Sequence, residues 1–72
     1  MNPFEKEKPY AIDCFNEAKP VNEDEPFATE WFDDFADMER RFEKLVETGR
    51  FKCLIQYEDS PDEWVEVHRW TA

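Results

Sequence analysis

Two cysteines, one histidine and nineteen carboxylates are the side chains of this 72-residue chain best suited to chemistry. Nucleophilic catalysis needs a Ser, Thr or Cys beside a base. The sole histidine, His68, and its nearest cysteine by register, Cys53, fall in alternating stretches whose side chains are expected on opposite faces of a sheet. Zinc would need Cys14, Cys53, His68 and a carboxylate to converge, and none of the short ligand spacings of zinc sites is present. The run Glu58-Asp59-Ser60-Pro61-Asp62 lacks the central Gly and the length of a calcium loop. With one Gly and no phosphate-cradling loop, no obvious cavity would raise one carboxyl pKa selectively. The expectation is a non-enzyme with no catalytic residue, no metal and no cofactor, in which Cys14 and Cys53 are buried thiols rather than a disulfide.

Charge points elsewhere. Nineteen Asp and Glu against nine Lys and Arg leave a formal net charge of -10. Such a surface repels phosphate backbones and anionic lipid heads, so direct contact with nucleic acid or membrane is disfavoured and a basic partner is favoured. No apolar run approaches the roughly 18 residues of a membrane span, and the N-terminus MNPFEKEKP lacks the apolar stretch of a secretory signal. The expected location is the cytoplasm of a bacterium or an infected host cell. Seven Phe, two Tyr and three Trp are too many for a disordered acidic tail, so the chain should fold as one small domain.

The elements that must position these groups follow from periodicity. Residues 1–8 alternate charge around Phe4 and two prolines and read as a loose arm, with residues 9–72 forming the domain. Tyr10 to Asn16 alternates as a strand. Residues 17–28, rich in acids and proline, read as a connecting loop. Phe35, Met38, Phe42, Leu45 and Val46 recur at helical steps until Gly49 stops them, with Thr29 or Asp33 as the expected cap. Phe51 to Tyr57 and Glu63 to Trp70 alternate again on either side of a turn-rich link and read as a C-terminal hairpin. The expected fold is α+β in the order β-α-β-β, one amphipathic helix on a three-stranded sheet, with the first strand parallel beside the second or antiparallel beside the third.

A hairpin symmetric about Ser60 pairs Ile55 with Val65 and Cys53 with Val67. Its face of Phe51, Cys53, Ile55, Tyr57, Val65 and Val67 is the expected seat of the helix. The outer face then carries Leu54, Trp64, His68 and Trp70. Either Phe27, Trp31 and Phe32 or the arm cover those tryptophans, or the face is exposed as an interface for a partner or a second copy.

No Lys or Arg occurs between Val21 and Glu39, while Glu23, Asp24, Glu25, Glu30, Asp33, Asp34, Asp37 and Glu39 supply eight acids. Glu39, Glu43 and Glu47 repeat every fourth residue, a row of carboxylates about 6 Å apart, with Asp37 expected to pair with Arg41. Such rows can imitate the phosphate rails that a nucleic-acid-binding protein grips, with aromatic anchors to hold the contact. The candidate contact residues are therefore the acids Glu30, Asp33, Asp34, Asp37, Glu39, Glu43 and Glu47 and the aromatics Trp31, Phe32, Trp64 and Trp70.

In type, though not by any matched motif, such a chain looks like the small acidic inhibitors that bacteriophages and mobile elements direct at host enzymes. The leading expectation is a non-catalytic inhibitor that occupies the basic surface of a nucleic-acid-handling enzyme. The alternative is a small structural or accessory subunit, or a homodimer, associating through the Trp64/Trp70 face.

Overall fold

The computed structural model describes residues 8–61 and 63–72, so the expected arm lies outside them except for Lys8. The chain forms β1 (Tyr10–Phe15), β2 (Ala28–Phe32), α1 (Phe35–Thr48), β3 (Cys53–Asp59) and β4 (Trp64–Thr71). The strands make one antiparallel sheet in the order β2-β1-β3-β4. The domain is thus α+β with one helix, but the sheet has four strands rather than three. The additional strand, ATEWF, sits where an acidic loop and a helix entry were expected. It is a short edge strand, half-buried throughout, so its residues show no clean inside-outside alternation. This extra reversal of direction makes β1 run antiparallel to β3, which neither expected sheet order allowed.

Asp34, not Thr29 or Asp33, caps α1: its Oδ1 accepts from the backbone N–H of Ala36 at 3.4 Å. The helix ends at Gly49, whose φ of 66° is left-handed and whose N–H donates to the Val46 carbonyl at 3.2 Å.

Met38, Phe42 and Leu45 of α1 pack over Ile12, Cys14 and Leu54, with Phe32 and Trp70 at the margins. The helix therefore covers the face opposite to its expected seat. Both faces of β3 are apolar, Leu54 on one and Cys53 and Ile55 on the other, so alternation alone does not choose between them. Register differs as well. Ser60 and Glu63 exchange backbone hydrogen bonds at 2.8 and 3.3 Å, which centres the turn beyond Ser60 and pairs Ile55 with Arg69 and Cys53 with Thr71. Between the pairs Gln56–His68 and Tyr57–Glu66, Val67 is an extra residue, a β-bulge that exchanges the faces of β4 at that point.

The other face of the sheet has no helix, yet Ala11, Asp13, Phe15, Cys53 and Ile55 are buried there. Two things cover it. The 16–27 connection crosses it, since Glu23 reaches Arg69 of β4. Trp31 and Trp64, from the two edge strands, meet edge to face with ring centroids 5.5 Å apart on the side that carries Ala11.

Asp13 is only 1% exposed, and Thr29 Oγ1 donates to its Oδ1 at 2.9 Å. Burial raises its pKa, against the weaker opposing effect of that hydrogen bond. The folded state then holds the proton more tightly than the unfolded chain. Asp13 favours the fold below its unfolded pKa, and that contribution is lost as pH rises through the raised folded value. Asp13→Asn, which keeps an acceptor for Thr29 and cannot ionise, should gain stability relative to the parent protein as pH rises from 4 to 7. Urea denaturation of both proteins at the two pH values checks this.

Candidate functional site

The seven candidate acids cluster on and around α1, but their surroundings differ. Glu30 on β2 accepts both Nε and an Nη of Arg41, at 2.7 and 3.0 Å, a bidentate pair between strand and helix. Asp37 pairs with Arg40, not with Arg41 as expected. Asp34 is engaged as the helix cap. Glu39 turns toward the sheet, where its Oε1 accepts from Nε2 of the buried Gln56 at 2.7 Å. The row of three carboxylates on α1 is thereby reduced to Glu43 and Glu47. These two and Asp33 are exposed, and among the described residues no hydrogen bond or ion pair engages their side chains.

The aromatics divide between the two faces. Phe32 and Trp70 lie beside the helix core, and Trp31 meets Trp64 on the other side. Trp64 pairs with Asp59 and Trp70 with Leu54, so the bulge at Val67 places these tryptophans on opposite faces. The expected joint Trp64/Trp70 surface does not form. All four side chains are half-buried.

Cys14 and Cys53 are free, buried and on opposite faces of the sheet, which excludes a disulfide between them. His68 neighbours Gln56 on the helix side and meets Phe42 edge to face with centroids 5.4 Å apart, away from Cys53. Among the described residues no group of three His, Cys, Asp or Glu side chains could hold a metal ion. Nor is any described helix long and apolar enough to cross a membrane.

A feature with no periodic signal in the sequence lies at the opposite side of the sheet from α1. There the 16–27 connection frames an open cavity of about 400 Å³ with Phe15, Pro20, Val21 and Phe27 among its apolar lining residues and Glu17 and Glu25 among its polar ones. The connection is tied to the sheet at two points, through Phe27 and through Glu23, and braced by one internal turn. Phe27 N–H donates to the Cys14 carbonyl at 2.9 Å and the Phe27 ring packs on Phe51. Asn22 closes a turn, its side chain accepting from the Asp24 N–H at 2.9 Å. Glu23 accepts two hydrogen bonds from Arg69, at 2.7 and 2.9 Å, and Arg69 also pairs with Glu66 at 2.8 Å. The pairing with Arg69 lowers the pKa of Glu23 and raises that of Arg69 beyond its already high value. Residues 66 and 69 would face opposite ways on a regular strand, so the bulge makes this three-residue cluster possible.

The chain matches no protein-family model, no curated protein and no solved structure.

Arg69→Ala should lower stability by about 1 kcal/mol, the upper end for exposed ion pairs, because one guanidinium serves two carboxylates. It should also accelerate amide hydrogen exchange at Glu25 and Phe27 while leaving the amides of α1 unchanged, which residue-resolved NMR exchange measures.

Proposed function

We propose that the protein is a non-catalytic acidic ligand that occupies a basic, nucleic-acid-binding surface of another protein and so blocks it. One observation carries this reading. The net charge is -10, three of the arginines, Arg40, Arg41 and Arg69, are spent on pairs with the chain's own acids, and Asp33, Glu43 and Glu47 stand free beside α1. A dense negative surface steers a basic partner and raises its association rate, and a rigid helix holds Glu43 and Glu47 one turn apart. The cytoplasm of a bacterium or an infected host cell, and an inhibitor of the phage or mobile-element type, belong to the same proposal.

A second reading, an accessory subunit or homodimer, is favoured by the outer edge of β4. That strand is eight residues long, and Val65 and Val67 on it are 45% and 43% exposed. An uncovered edge of this length can accept a further strand. Such a complex would resist salt, whereas the acidic contact would not.

The two readings separate in one experiment. Proteins from a bacterial lysate are captured on the immobilised protein, eluted by stepped salt, identified, and assayed for release of their DNA or RNA by the free protein. The proposal expects a nucleic-acid-binding protein that leaves at moderate salt and loses its nucleic acid. Glu43→Lys with Glu47→Lys should weaken that competition about 10-fold or more. Glu39 is kept, since it is bonded to Gln56. Competition unchanged by the double reversal, or a partner retained at high salt, contradicts the proposal.

A further inference from the structure

The cavity framed by residues 16–27 combines features that an acidic coat does not need. Val21 is 98% exposed and Phe27 63% exposed, so two apolar side chains stand in water at its rim, in a connection that carries four acids against one lysine, Lys19. Exposed apolar groups that cluster at a concavity mark contact sites more often than those scattered singly. Glu17 and Glu25 line the same cavity, and among the described residues neither side chain has a hydrogen-bond or ion-pair partner. No Lys or Arg is among the lining residues. The volume lies in the lower part of the range for small-ligand sites, ample for one long side chain.

An occupant complementary to this lining is apolar along its length and cationic at its tip. Lysine and arginine both satisfy that description, but only the planar guanidinium both stacks on an aromatic ring and forks toward carboxylates. The chain itself makes such a contact nearby, where the Arg50 guanidinium carbon lies 5.4 Å from the centroid of the Phe51 ring. The connection is held in place by the Glu23–Arg69 pair and the Phe27–Cys14 backbone bond, so the cavity is largely formed before anything enters.

We propose that this cavity takes an arginine side chain of a protein partner, with the guanidinium between the Phe27 ring and the carboxylates of Glu17 and Glu25 and the methylenes against Phe15 and Pro20. The inference rests on the reading of the protein as a ligand for a basic partner and deepens it. It adds a second contact point, on the side of the sheet away from α1, that selects one cationic side chain over another.

The test is a titration of the ¹⁵N-labelled protein with N-acetyl-arginine amide and, separately, with N-acetyl-lysine amide, followed by amide chemical shifts. The expected result is a saturable change centred on Phe15, Asn16, Glu25 and Phe27, tighter for the arginine compound. Phe27→Ala should weaken it about fivefold. Glu25→Gln, an exposed change that leaves the fold intact, should weaken it about threefold. Glu58→Gln, an exposed change at the far end of β3 from the cavity, should leave it unchanged. No saturable change at these amides, equal binding of the lysine compound, or insensitivity to Glu25→Gln overturns the inference. Arginine binding without competition for a nucleic-acid-binding surface would keep the cavity and remove the broader proposal. Competition without arginine binding would do the reverse.

Discussion

A four-stranded sheet with a single helix has one face that no regular element can cover, and the rest of the molecule follows from how that face is kept dry. The central strands β1 and β3 are buried on both sides, with Ile12, Cys14 and Leu54 under α1 and Ala11, Phe15, Cys53 and Ile55 under the irregular cover. A chain this short has little apolar surface to spare, so leaving either face in water would remove much of the driving force for folding. The acidic connection is therefore part of the core's construction and not a tether between strands. Its charge is compatible with that role because Glu23 meets Arg69 on the far strand, while the apolar groups beneath it come from the sheet itself.

This arrangement explains which features could be read from the residues. The helix was legible because Met38, Phe42 and Leu45 recur at its period and Gly49 must supply the left-handed stop. The β3–β4 hairpin was legible as two alternating runs, and the buried, unpaired thiols from their apolar surroundings and distant spacing. Strand β2 was not, since Ala28, Thr29, Glu30, Trp31 and Phe32 are all half-buried and its pairing with β1 is what makes it a strand. The side of the sheet that receives the helix was not legible either, because β3 is apolar on both faces. A single inserted residue, Val67, then reversed the facing of half of β4 and separated Trp64 from Trp70.

The candidate surface shows the same limit. Sequence spacing places Glu39, Glu43 and Glu47 in a row along α1, but does not tell which of them the fold engages. Arg41 lies close to Glu30 only because β2 exists, and Glu39 bends toward the sheet only because Gln56 sits beneath the helix. What remains free is a smaller carboxylate group on one side and, on the other, a cavity whose aromatic and acidic walls belong to the cover. The two sides are thus chemically distinct, one broad and electrostatic, the other narrow and shaped. A net charge of -10 supplies long-range attraction to both, but attraction alone does not orient a partner.

Two unequal covers protect the two faces of the sheet, and the cysteines report on them separately. Cys14 lies under the helix and Cys53 under the irregular cover, both with no exposed surface, and burial raises both pKa values, that of Cys14 to about 12. The direct measurement is thiol labelling by a disulfide reagent in Cys14→Ala and Cys53→Ala variants across low denaturant concentrations. Both thiols should react far more slowly than a free cysteine. Cys53 should be the faster, through a local opening that scarcely depends on denaturant, and Cys14 should react only with global unfolding. Labelling of Cys53 at the rate of an exposed thiol would show the opposite, that the connection does not cover the sheet.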